Sequence, residues 1–167
     1  MKINSKGTEI LLPDDLLYAR DHCWAKIEGA HVRVGVTDYI QKRIGKVTMV
    51  ELRWDEDLNG AHFKQVLDFP LEREDQQSHP RFYGEGEWDD QPIDGVSVES
   101  SSMVMEILPP FSGTVVDVNG SLEDRPELIN SDPYGEGWLF VIEADDIESE
   151  RRNLLSVGAY VDFLKTE

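Results

Sequence analysis

The chain has 167 residues, of which 40% are hydrophobic and 9% aromatic, enough to enclose a core as one domain or one domain with an elaboration. Its formal net charge of -18 argues against a nucleic-acid partner, because phosphate-backbone binding draws on clustered Lys and Arg, and it favours basic or mixed protein surfaces. No apolar run approaches the ~18 residues of a membrane span, and Met1-Lys2-Ile3-Asn4-Ser5-Lys6-Gly7 lacks the apolar segment of a signal peptide, so a cytoplasmic protein with no membrane partner is expected. In chain order, Glu9 to Leu17 reads as a lead-in with a turn at Pro13-Asp14-Asp15. Tyr18 to Ile27 and His31 to Val36 alternate large apolar with polar residues around Glu28-Gly29, the pattern of two antiparallel strands. Thr37-Asp38 supply capping oxygens for a short helix that Gly45 ends, and Val47 to Leu52 reads as a strand. Val96 to Ile107 and Gly113 to Asn119 read as strands on either side of Pro109-Pro110, and Trp138 to Ala144 as another. Apolar residues near helical spacing from Asn153 to Leu164 predict a C-terminal helix interrupted at Gly158.

The composition changes between Arg53 and Asp94. Residues 55 to 70 keep enough apolar positions for one or two strands, but residues 71 to 94 are polar, acidic and broken by Gly and Pro, which predicts an exposed acidic loop. Phe82, Tyr83 and Trp88 lie inside it. Aromatic residues in such a setting either fold back on the body or mark a contact surface, which makes these three the candidate partner-binding residues.

Val98-Glu99-Ser100-Ser101-Ser102-Met103-Val104-Met105-Glu106-Ile107-Leu108-Pro109-Pro110-Phe111-Ser112-Gly113 resembles the prosthetic-group hairpin of lipoyl and biotinyl carrier domains. More of the chain is similar to the glycine cleavage system H protein family: Tyr18-Ala19-Arg20-Asp21-His22-Cys23-Trp24, Val34-Gly35-Val36-Thr37-Asp38-Tyr39-Ile40-Gln41, Gly45 to Leu52, Pro126 to Asn130, and Asp132-Pro133-Tyr134-Gly135-Glu136-Gly137-Trp138-Leu139. The resemblance runs from Tyr18 to Leu164 apart from residues 53 to 95. It implies a mainly β barrel-sandwich hybrid with short flanking helices and a C-terminal helix, forming one domain over residues 1 to 167. It also implies an arm, a lipoyl-lysine on an exposed hairpin that carries an aminomethyl group among the glycine-cleavage enzymes.

The sequence departs from that pattern in two places. Counting eight positions back from Pro110 places Ser102 at the position of the lipoyl lysine, flanked by Glu99 and Glu106 as the family's site is, and no lysine occurs between Lys64 and Lys165. A hydroxyl does not form the amide that holds lipoate, so no cofactor is expected. The second departure is length, since residues 53 to 97 exceed the family pattern by roughly 30, and loops lengthen at modest entropic cost. The expected function is that of a non-lipoylated H-protein-like domain, not an enzyme, that binds or regulates a protein partner among glycine-cleavage or lipoyl-related enzymes. Two alternatives stay open: a glycine-cleavage role by another route, and a small-ligand binder or enzyme with its site under the inserted segment.

Other chemistry finds little support in the sequence. The four histidines are scattered and no G-x-S-x-G elbow surrounds the serines, so no catalytic residue is expected. The single cysteine, Cys23, has no C-x-x-C partner and no close-spaced histidine pair exists, so no metal site is expected either.

Overall fold

The computed structural model describes residues 1–51, 62–63, 65, 96–107 and 109–167, together with the main chain of 82–84. Two sheets carry the fold. The larger has the order β3-β4-β5-β12-β11-β7, built from Leu17–Tyr18 (β3), Cys23–Glu28 (β4), His31–Val36 (β5), Phe140–Ala144 (β12), Gly113–Val118 (β11) and His62–Phe63 (β7). The smaller has the order β6-β9-β10-β8, built from Val47–Glu51 (β6), Val96–Ser100 (β9), Met103–Ile107 (β10) and Phe82–Gly84 (β8). All pairings are antiparallel. Between the sheets lies one core that includes Trp24, Val34, Val36, Val50, Val98, Met105, Ile107, Phe111, Phe140 and Ile142. Gly35 stands against Trp24, and a Cβ at that position would come within 2.6 Å of the indole, so the close approach of strand to ring requires glycine.

Helix α1 spans Asp38–Ile44, with Thr37 accepting from the Ile40 N–H at its start and Gly45, at φ 83°, at its end, as the capping signals predict. The short helices α2 (Ser121–Asp124), α3 (Leu128–Ser131) and α4 (Ile147–Glu150) follow the second half of the chain. Helix α5 spans Val157–Leu164 and begins at Ser156, which accepts from the Ala159 N–H. Gly158 therefore does not interrupt the C-terminal helix. It lies in the first turn, and residues before Ser156 form a separate 3-10 turn, Arg151–Asn153.

Three other expectations change. The N-terminal lead-in is a hairpin, Lys2–Ser5 (β1) with Thr8–Leu11 (β2), closed by Lys6 and Gly7 at positive φ. Val96 to Ile107, one strand by its pattern and a hairpin by the family resemblance, is the hairpin, folded back at Ser101-Ser102. The expected loop at 71 to 94 contains a strand: Phe82–Gly84 pairs with β10 through Met103↔Gly84, Val104↔Tyr83 and Met105↔Phe82. Adjacent aromatics favour a pleated strand, and here the open edge of β10 supplies the partner. The long connection from 53 to 95 thus gives a strand to each sheet, β7 to the larger and β8 to the smaller. Trp88 and the acidic run around it lie outside the described residues.

The start and end of the chain are tied to the body by satisfied polar networks. Asp38 accepts from the Leu11 N–H at 2.8 Å and from Gln41 at 2.7 Å, and Tyr134 donates to the Leu11 carbonyl at 2.6 Å. On the other side, Tyr18 stacks on Tyr160 with centroids 4.7 Å apart, and Tyr18 and Leu155 exchange main-chain hydrogen bonds.

Candidate functional site at the hairpin tip

β9 and β10 pair from Val96↔Ile107 to Glu99↔Val104, which leaves Ser100 and Met103 closing the turn and Ser101 and Ser102 exposed at its tip. Ser100 organises that turn. Its Oγ accepts from the main-chain N–H of Ser102 and of Met103, both at 3.3 Å, a side-chain substitute for ladder bonds that the turn cannot make. The Ser102 hydroxyl lies 3.5 Å from Ser100 Oγ. The tip is therefore an ordered serine turn with no amine on it.

Strands flank the hairpin on both sides, β6 against β9 and β8 against β10. Val98, Met105 and Ile107 face the core, so Ser97, Glu99, Val104 and Glu106 face outward. From β6, Glu51 stands opposite Ser97 and Met49 opposite Glu99. The two glutamates that flank Ser102 in sequence are thus on the same outer face. Burial, with Glu51 nearby, holds the Glu99 carboxyl above its usual range. Glu106 is half-buried and engaged. Phe82 and Tyr83 enter this neighbourhood through the main chain of β8.

The tip serines have no catalytic partners among the described residues. His22 is buried in the C-terminal network, His31 faces Glu143 at 3.7 Å, and His62 meets Asp145 at 2.7 Å, all with partners of their own. Cys23 is 1% exposed, and burial pushes its thiol far up, out of the range of a nucleophile. Among the described residues no group of three His, Cys, Asp or Glu is placed to hold a metal ion. Ser97 and Glu51 were not singled out by sequence. The alternation Val96-Ser97-Val98-Glu99 sets Ser97 and Glu99 on one face, but adding Glu51 needs the β6 register, which a bulge between Val47 and Met49 shifts.

The frame around this hairpin is shared with known proteins. The chain is 35% identical to the glycine cleavage system H protein of Bacillus licheniformis over 155 residues, covering 93% of this chain and 98% of that one. The chain belongs to the glycine cleavage system H protein family. It is also 38% identical over 151 residues to the probable glycine cleavage system H protein of Haloarcula marismortui, covering 90% and 94% of the two chains. The family model for the glycine cleavage H-protein matches residues 90–167, a span that contains the hairpin, its tip and the C-terminal helix. In three dimensions the chain is similar to the crystal structure of the H protein from Mycobacterium marinum, with a TM-score of 0.63 at 27% identity over 90% of this chain and 97% of that one. The mainly β architecture expected from the H-protein resemblance is the one observed.

Proposed function

We propose that this H-protein-family domain works without a lipoyl arm, as a binding or regulatory partner of another protein and not as an aminomethyl carrier. The observation that carries this reading is Ser102 at the exposed tip of the β9–β10 turn, in the position that the family's motif spacing assigns to the modified lysine. The residues present do not fit the lipoyl group. Its attachment needs a primary amine, the tip offers hydroxyls, and no lysine lies between Lys64 and Lys165. What remains is a rigid frame with two features suited to contact. One is the strongly acidic surface, which accelerates encounter with basic partners. The other is the inserted connection, whose Phe82, Tyr83 and Trp88 are the candidate contact residues. Partners among glycine-cleavage or lipoyl-related enzymes are the natural first choices.

Intact-mass measurement on protein from its native host tests the reading. An unmodified mass is the expected result, and a lipoyl adduct anywhere on residues 98–108 overturns it. Once a partner is in hand, Trp88→Ala is expected to speed dissociation, while neutralising Glu85, Glu87, Asp89 and Asp90 weakens binding mainly at low salt. If neither variant changes binding, the inserted connection has no part in it. The second reading, a glycine-cleavage role by another route, is favoured by similarity spanning 93% of the chain. Restoration of glycine cleavage by the unmodified protein in a strain lacking its own H protein would establish that alternative.

A further inference from the structure

The larger sheet ends at an edge that is only partly covered. Along β4 alternate residues direct their main-chain groups to opposite sides. Trp24, Lys26 and Glu28 bond to β5, while Cys23 and Ala25 face β3, as the 2.9 Å bond from the Ala19 N–H to the Cys23 carbonyl shows. Ile27 continues that second series. β3 begins at Leu17, opposite Ala25, so the N–H and C=O of Ile27 point outward from the edge with no strand against them, and among the described residues nothing bonds to either. An edge of this kind is a template for one more strand.

A cleft of about 470 Å³ opens beside that edge, with Leu16, Leu17, Ala25, Ile27 and Val157 among its lining residues. Leu17, Ile27 and Val157 are half-buried apolar side chains that the core leaves partly uncovered here. Residues directly opposite in a sheet share a face, so a residue added across from Ile27 would send its side chain to the side of Ala25 and Ile27, which the cleft occupies. The rest of the lining is charged or polar. Asp14 is held by the N-terminal ammonium at 3.5 Å and Arg151 by Glu148 at 3.5 Å, and Ser156 caps α5. Asp15 joins no ion pair among the described residues.

We propose that this edge receives an extended segment of a protein partner, which pairs its main chain with Ile27, places an apolar side chain in the cleft and sets a Lys or Arg beside Asp15. The inference rests on the reading of the domain as a protein-binding module and supplies the form and chemistry of the segment it binds. A cleft that runs along a strand edge suits an extended chain, whose alternation sets one inward apolar residue between outward polar ones. The unpaired Asp15, in a chain of net charge -18, makes a cationic residue the complementary one. A contact this small is weak and transient.

The test uses the full chain, labelled with nitrogen-15 and titrated with the capped peptide acetyl-Lys-Thr-Val-Thr-Lys-amide. Saturable shifts are expected at the amides of Leu17, residues 25–28 and Val157. An analogue N-methylated at the central Val keeps charge and side chain but loses the donor to the Ile27 carbonyl, and is expected to bind ~5-fold more weakly. Alanine in place of that Val leaves the cleft unfilled and is expected to cost ~3-fold. Both comparisons leave the protein unaltered. Asp15→Asn is expected to weaken binding ~3-fold at low salt, whereas Asp162→Asn removes the same charge from an exposed site on α5 and is expected to leave the affinity unchanged. Shifts scattered over the acidic surface, equal affinity of the N-methylated peptide, an Asp162→Asn effect as large as that of Asp15→Asn, or no shift at millimolar peptide would each overturn the proposal. The result is independent of the mass measurement above: a lipoyl adduct would remove the proposed function, whereas failure of the peptide to bind an unmodified chain would remove only the edge site.

Discussion

The buried polar groups around His22 and the buried hydroxyl of Ser97 are treated in opposite ways. In the first region a chain of donors is complete. Thr37 accepts from Ile40 and donates to Tyr160 at 3.0 Å, Tyr160 donates to His22 Nδ1 at 2.7 Å, and His22 Nε2–H donates to the Glu167 carboxylate at 3.1 Å. The carboxylate has no proton to give, which fixes this direction along the chain. Burial lowers the His22 pKa despite the Glu167 contact, so the pair is a hydrogen bond to a neutral ring and not an ion pair. In the second region Ser97, Glu51 and Glu99 have no such closure. Thr37, Tyr160 and His22 thus each find hydrogen-bond partners, while the Ser97 hydroxyl on the smaller sheet finds none.

Mutation can break that contrast at its strong end. Tyr160→Ala removes a fully buried ring that stacks on Tyr18, and it orphans Thr37 and His22. A loss of about 3–5 kcal/mol is expected, read from urea denaturation. Asn130→Ala comes next, at about 2 kcal/mol, because Asn130 accepts from the Val47 N–H and donates to Gln41 and to the Gly45 carbonyl, joining α3 to the start of β6. The pH dependence follows from His22. Its folded pKa is below 6.5, so the unfolded chain takes up the proton first, and stability is expected to fall as pH drops through 6.5. The loss should be absent in His22→Gln when both proteins are followed by urea titration between pH 5 and 7.5.

At the other end, small effects sharpen the comparison. Ser97→Ala removes a hydroxyl that bonds to nothing and is expected to leave stability within ~0.5 kcal/mol or raise it slightly. Glu99→Gln is expected to stabilise the protein modestly at neutral pH and not at acid pH. The raised carboxyl costs stability while ionised and ceases to do so as pH falls through its folded value. Ser102→Lys is the smallest, below ~0.5 kcal/mol at an exposed turn position. Its use lies elsewhere. Incubation of that variant with lipoate, ATP and a lipoate ligase tests whether the amine alone was missing, and a folded variant that stays unmodified would assign the block to hairpin geometry or to β8 along β10.

Strong local signals made much of this molecule legible in its sequence. Thr37 and Gly45 bracket α1 because capping chemistry acts within a few residues, whereas the hairpin tip at Ser102 is located through the resemblance to carrier domains, whose motif spacing from Pro110 it follows. The N-terminal hairpin escaped notice because its strands show little apolar alternation, with Ile10 alone buried and Ile3 half-buried. The strand at Phe82–Gly84 was hidden by polar surroundings, and its existence depends on the open edge of β10, a feature of tertiary structure. The set of Ser97, Glu51 and Glu99 depends on register across two strands distant in sequence, which no local pattern encodes.

Cys23 gives the molecule a practical property. It is the only thiol in the chain, packed in the core at 1% exposure, with its ionisation suppressed by burial, so reagents that alkylate surface thiolates find nothing to attack in the folded protein. Replacing Ser102 by cysteine would place one reactive sulfur at the apex of the hairpin. A fluorophore, spin label or cross-linker fixed there would report on whatever approaches the tip, with no need to engineer away a competing site.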